Sequence, residues 1–220
     1  FYNGCGMNQH YHGCRRHALI VIHQIKMNSN FIEEYPDSIS SEDCLRLIHQ
    51  FEKSSELHAP GMTTVGYDDS IKKDTEIMVS NRMLGDEQWS DVIQPVLNAL
   101  GKNVDAYKKE YTIDCGLEDI SRWGLEPPGI NFQRFKPGEG YKKWHCEAPC
   151  RDSSKRVLVW MIYLNTIDDK GGTDFQYQDF TCKAESGKMV IWPPYWTHFH
   201  RSQVSPSSIK YIMTGWFSYV

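Results

Sequence analysis

The chain has 220 residues and a formal net charge of −4, enough for one domain with a substantial core, or one domain and a cap. This mild acidity provides no field for nucleic acid or an anionic membrane, and no apolar run reaches the length of a membrane span. Seven cysteines, an odd number without regular spacing, and no secretory signal at the N-terminus point to a reducing, cytoplasmic compartment rather than a disulfide scaffold.

Residues 1–26 differ in texture from the rest, with Cys5, His10, His12, Cys14, His17 and His23 scattered around a short apolar run. They are expected to be an extension outside the fold, disordered or non-native, with Met27 a plausible start. The alternative is a small zinc site, because Cys and His at such gaps are zinc ligands. From residue 27 to 220 we expect a single domain, with a helical cap over 31–128 and an all-β core over 129–220.

Within the cap, Phe31–Tyr35 reads as a short strand, and Ser40 followed by Asp43 three residues on is a helix-start signal. Cys44, Leu45, Leu47, Ile48 and Phe51 recur at helical spacing, predicting an amphipathic helix to about Lys53. Residues 54–70 read as loop and 74–80 as a short strand. A long helix is expected over 86–111, carrying Trp89, Ile93, Val96, Leu100 and Tyr107, with Pro95 kinking it or marking a start near Asp91. Pro127-Pro128-Gly129 closes the stretch.

After Gly129 the period changes to two. Strands are predicted over 130–135, 144–147, 156–164, 173–177, 181–184, 188–191, 197–201 and 210–219, separated by Gly, Pro, Asp and Ser. Many short strands with such turns predict a jelly roll or barrel. The run from Arg156 to Leu164 is almost continuously apolar, as expected of a central strand buried on both faces.

The chemistry-bearing residues fall in this β region. His145-Cys146-Glu147 places an imidazole and a carboxylate on alternate positions of an extended segment, so both leave one face. One further His makes two His and one carboxylate, the facial triad that leaves open positions on a non-haem Fe(II). His198 and His200 both compete for the third place. Cys146 and Cys150 bracket Glu147, and thiolate ligation is the alternative, although alternation turns Cys146 away. Lys210, in an apolar β context, needs an anion if it is buried. Arg134, Lys142 and Lys143 read as solvated.

Phe135, Pro137-Gly138, Tyr141, His145-Cys146-Glu147, Tyr163-Leu164-Asn165, Gly171-Gly172, Phe175, Gly187-Lys188, Pro193, His200 and Lys210 together resemble the 2-oxoglutarate and Fe(II)-dependent dioxygenases, in their prolyl 4-hydroxylase-like branch. The chain departs from that pattern with Glu147 where Asp is usual, and with Tyr141 four rather than three residues before His145. The resemblance implies a mainly β, α+β fold, a double-stranded β-helix with the N-terminal helices packed on one sheet. It implies Fe(II) held by His145, Glu147 and His200, His200 being favoured by its ten-residue gap to Lys210. It also implies that Lys210 and the Tyr163 hydroxyl receive the distal carboxylate of 2-oxoglutarate, and that Phe135, Tyr141 and Trp216 line the cosubstrate site.

The implied reaction couples oxidative decarboxylation of 2-oxoglutarate to hydroxylation of a substrate, releasing succinate and carbon dioxide. Fe(II), 2-oxoglutarate and O2 are the implied cofactors, with ascorbate as an accompanying reductant. The implied substrate is a prolyl residue in a peptide or protein. A free amino acid or other small metabolite is the alternative, and a non-catalytic jelly-roll metal-binding protein is a third reading. No nucleic-acid or membrane partner is expected.

Overall fold

The computed structural model describes residues 29–63, 66–111, 122–126 and 129–220; the Cys/His-bearing segment 1–26 lies outside them. The strands are β1 (Glu33–Tyr35), β2 (Ala59–Pro60), β3 (Lys72–Lys73), β4 (Thr75–Ser80), β5 (Trp123–Leu125), β6 (Gly129–Phe135), β7 (Gly140–Tyr141), β8 (Arg156–Tyr163), β9 (Thr173–Phe175), β10 (Phe180–Cys182), β11 (Met189–Trp192), β12 (His200–Ser202) and β13 (Lys210–Tyr219). The helices are α1 (Ser41–Lys53), α2 (Asn81–Leu84) and α3 (Glu87–Glu110).

The large sheet runs β1-β11-β8-β13-β6-β4-β2, with β5 paired to the far end of β13. Facing it are a three-stranded sheet, β10-β9-β12, and the β3-β7 pair. All pairings are antiparallel. This is the expected jelly roll. Alternation along β8 shows why it is stable. Leu158, Trp160 and Ile162 point into one core with Leu47, Phe51, Ile93, Val96 and Leu100 from the helices, while Val159, Met161 and Tyr163 point into a second core with Phe175, Trp192 and Ile212. A strand covered on both faces needs apolar residues at every position, as the run from Val157 shows.

Helix α1 begins where Ser40 caps it, its hydroxyl accepting the Asp43 N–H at 3.0 Å. Helix α3 neither starts at Asp91 nor stops at Pro95. It starts at Glu87 because the Asp86 carboxylate accepts the Gln88 N–H at 2.9 Å, and it continues past Pro95, whose ring costs the helix one backbone donor. Its buried stripe of Trp89, Ile93, Val96, Leu100, Val104 and Tyr107 provides the packing that offsets this loss.

Two expectations change. The stretch before Gly129 is not simply a helical cap. Strand β1 pairs with β11, and β4 pairs with β6 from Thr75↔Arg134 to Ser80↔Gly129, so both complete the large sheet. At the β6 start Gly129 has φ +140° and lies so close to β4 that a Cβ would sit 2.0 Å from the Val79 carbonyl oxygen. Several β-region strands are also shorter than expected. Residues 144–147 form no strand beyond a single bridge from His145 to His200, and Trp196–His198 is a 3-10 turn before β12. Among the described residues no helix is long and apolar enough to cross a membrane.

Candidate active site

A cleft of about 600 Å3 opens between the two sheets, walled by β6, β8 and β13 on one side and by β12 and the 144–149 segment on the other. Ligand-capable atoms of His145, Glu147 and His200 lie on its wall within 4.8 Å of one another. His145 and His200 are brought together by reciprocal backbone bonds, His145 N–H to His200 O at 3.1 Å and His200 N–H to His145 O at 2.9 Å. The backbone N–H of Glu147 is tied to the Pro194 carbonyl at 2.9 Å. The shared face expected from strand alternation is thus delivered by a single bridge plus a loop anchor.

Each of the two imidazoles has its Nδ1 occupied by a backbone carbonyl, Lys143 O for His145 and His198 O for His200, both at 2.9 Å. That contact fixes Nδ1–H as donor and leaves the Nε2 lone pair free, the arrangement a metal ligand needs. Both Nε2 atoms stand 3.4 Å from the same oxygen, Oε1 of Glu147. Burial alone would push the Glu147 carboxyl up, but the adjacent His145 and His200 pull it well below the usual carboxylate range. Burial and the neighbouring His200 push His145 down, keeping it neutral and able to donate a lone pair. Two imidazole nitrogens and one carboxylate oxygen are a donor set that suits Fe(II).

His198, the rival third ligand, is turned away and fully engaged. Its Nε2 bonds the Asn30 carbonyl and its Nδ1 the Thr197 hydroxyl, both at 2.9 Å. Cys146 lines the cleft but lies outside the converging set, and Cys150 is exposed. Tyr141 stacks flat on His145, with centroids 3.5 Å apart and planes 8° apart.

Lys210 is 3% exposed and does not itself line the cleft, although Phe135, its partner on β6, does. Its ammonium donates to the Gly171 carbonyl at 3.0 Å and rests 4.8 Å from the Phe135 ring centroid. Among the described residues it has no carboxylate within ion-pair distance. Burial pushes its pKa down to about 8, with Asp74 pulling weakly the other way. A buried cation with two of its three donors uncommitted fits a carboxylate arriving from outside. Tyr163, which the sequence pairs with Lys210, bonds the Thr173 hydroxyl at 2.8 Å, and Thr173 itself lines the cleft.

Trp216 does line the cleft, but its indole N–H is committed to Oε2 of Glu147 at 3.0 Å, so its polar atom serves the carboxylate rather than a cosubstrate. Arg134 points outward to Glu52 at 2.7 Å, and Lys142 and Lys143 are exposed. Asn165 ties a turn, donating to Ile209 O and accepting from Tyr211 N–H.

Sequence reasoning missed two groups. Arg156, read only as the first residue of a strand, donates to the Glu147 carbonyl at 2.7 Å and stacks on Trp216 at 3.9 Å. A buried polar floor joins β3, β4 and β6. Lys72 pairs with Glu76 at 2.9 Å and Asp74 at 3.4 Å, and Gln133 donates to Asp74 at 2.6 Å. Burial there pushes Asp74 up to about 6, against the pull of Lys72. The period-two spacing of Asp74, Glu76, Asn131 and Gln133 was the available signal, since inward polar residues on neighbouring strands must satisfy one another.

Residues 130–218 match the family model described as the 2OG-Fe(II) oxygenase superfamily. No curated protein sequence matches the chain. Among solved structures, a viral collagen prolyl hydroxylase from Paramecium bursaria Chlorella virus-1, determined as a 2OG complex, is similar with a TM-score of 0.61 at 18% identity, covering 87% of this chain and 98% of that one. A prolyl hydroxylase from Trichoplax adhaerens, in complex with a hypoxia inducible factor oxygen degradation domain peptide fragment, gives a TM-score of 0.67 at 16% identity over 87% and 85%. A Pseudomonas putida prolyl-4-hydroxylase gives 0.62 at 16% over 86% and 93%.

Proposed function

From residues 130–218 as a 2OG-Fe(II) oxygenase superfamily domain, we propose that this protein is an Fe(II)- and 2-oxoglutarate-dependent hydroxylase acting on a prolyl residue in a peptide or protein. The observation that carries the reading is the convergence of the His145, Glu147 and His200 atoms on one cleft, together with a buried Lys210 that packs against the cleft-lining Phe135 and has no carboxylate partner among the described residues. His145, Glu147 and His200 would hold the metal, and Lys210 the distal carboxylate of 2-oxoglutarate. The metal and 2-oxoglutarate together would supply the oxidation of a C–H bond by O2, with ascorbate as accompanying reductant.

The chain's own residues supply binding, orientation and water exclusion. Lys143 O and His198 O keep a proton on each Nδ1 and so aim each Nε2. Phe135, Ile212 and Met161 give the cleft floor an apolar lining, which strengthens the attraction between Lys210 and a bound carboxylate. Trp144 and Trp196 are exposed at the cleft, offering flat apolar faces to a proline ring and the chain around it. An open cleft with an aromatic rim supports a peptide over a free amino acid. A cytoplasmic setting belongs to the same reading, since it keeps Cys44, Cys146, Cys150 and Cys182 and the iron reduced.

Succinate release, measured with proline-containing peptides, with free proline and with no substrate, tests the reading. Peptide-dependent succinate with a matching hydroxyproline product is expected. Stimulation by free amino acids alone would remove the peptide while leaving the oxygenase, and absence of succinate under every condition would remove both.

A further inference from the structure

Glu147 poses a geometric problem for the site just described. A facial triad works because its carboxylate takes one position and leaves three open. Glutamate has one more methylene and one more torsion than aspartate, so its carboxylate can turn and present both oxygens to a metal. A second oxygen bound there would occupy a position that cosubstrate or O2 needs.

The two oxygens of Glu147 have different surroundings. Oε1 is 3.4 Å from Nε2 of His145 and 3.4 Å from Nε2 of His200. Oε2 accepts the Trp216 indole N–H at 3.0 Å and lies 3.6 Å from Nη1 of Arg156. The indole is itself held. The Arg156 guanidinium stacks 3.9 Å from its ring centroid, and Arg156 is fixed by Glu126, with Nε at 3.0 Å and Nη2 at 2.8 Å from Oε1 of that residue, and by the Glu147 carbonyl at 2.7 Å. An indole nitrogen has one donor and no acceptor, so the bond to Oε2 uses the one hydrogen that the Trp216 side chain can donate.

We propose that Trp216 is a positioning residue which, braced by Arg156, holds Oε2 of Glu147 away from the metal and enforces coordination through Oε1 alone. The inference rests on the metal-site reading above. Hydrogen bonds to ligating carboxylates commonly carry about 10–100-fold in metal affinity.

The probe is Co(II), titrated anaerobically into the full chain and followed by its visible d–d absorption. Trp216→Phe keeps an aromatic face for Arg156 and removes the N–H donor, together with the pyrrole ring that carries it. We expect it to change Co(II) affinity by about 10-fold or more and to alter the band shape, since the second carboxylate oxygen becomes free to bind. Arg156→Gln, which removes the brace but leaves the indole, should alter the spectrum in the same sense by a smaller amount. A merely structural role would lower the melting temperature of both variants and leave the d–d bands of the folded fraction unchanged; that result overturns the proposal. So does a Trp216→Phe protein with wild-type affinity and spectrum. If Trp216→Phe does not fold, the Arg156→Gln spectrum decides by the same criterion. Failure of the wild-type chain to bind Co(II) at all would instead overturn the metal-site reading.

Discussion

Lys210 on β13 stands directly across from Phe135 on β6, with its ammonium 4.8 Å from the ring centroid and one hydrogen bond to the Gly171 carbonyl. The ring and the carbonyl ease the burial of the charge without neutralising it. The strand pair therefore presents a cation ready for an anion that the described residues do not provide.

Removing that cation should cost 2-oxoglutarate its anchor. Lys210→Met preserves most of the side-chain volume, and losing one member of a buried ion pair costs about 3 kcal/mol or more, about 100-fold in affinity. The apparent KM for 2-oxoglutarate should rise by that order while Co(II) still binds. Unchanged KM would mean that the carboxylate sits elsewhere.

The depressed Lys210 pKa of about 8 sets a pH dependence. Below about 8 the ammonium is charged and can receive the carboxylate; above it, binding must first recover a proton. Affinity for 2-oxoglutarate, measured anaerobically by calorimetry, should therefore fall as pH rises from about 7 to about 9.5, with proton uptake on binding in the upper half. The stability of the ligand-free protein should carry the opposite sign. Between about 8 and the ordinary lysine value the unfolded chain holds more protons than the folded one, so this group's contribution to stability increases with pH there. A flat affinity profile would contradict the assignment.

His200 and His198 should separate cleanly. His200→Ala removes an Nε2 that faces Glu147, so Co(II) binding should be lost, with little change in fold. His198→Ala breaks bonds to Asn30 O and Thr197, so it should lower the melting temperature and retain metal. Loss of metal from the His198 variant alone would reverse the assignment.

Gly215 offers a test of packing independent of the site. It pairs with Trp160 across β13 and β8, and a Cβ added there would lie 2.8 Å from the Trp160 indole nitrogen. Trp160 is fully buried, so it has nowhere to retreat. Gly215→Ala should destabilise by about 1–3 kcal/mol, read from urea unfolding.

Local sequence determined much of this protein because local rules needed no partner. Ser40 caps α1 by bonding a residue three positions away, the apolar run from Val157 can only be a strand covered on both faces, and the order of motifs from Phe135 to Lys210 carries the resemblance that implies iron and 2-oxoglutarate chemistry. Tertiary structure decided whatever depended on which atom faces which. His198 and His200 are two residues apart with the same side chain; the ten-residue gap to Lys210 favours His200, and the packing of Asn30 against one and the bridge from His145 to the other give each its orientation. Trp216 and Glu147 are 69 positions apart, and Arg156 and Glu126 are 30 apart. Their bonds follow from strand register and loop closure, which no local pattern encodes, because a hydrogen bond is directional over about 3 Å while sequence periodicity specifies only a face.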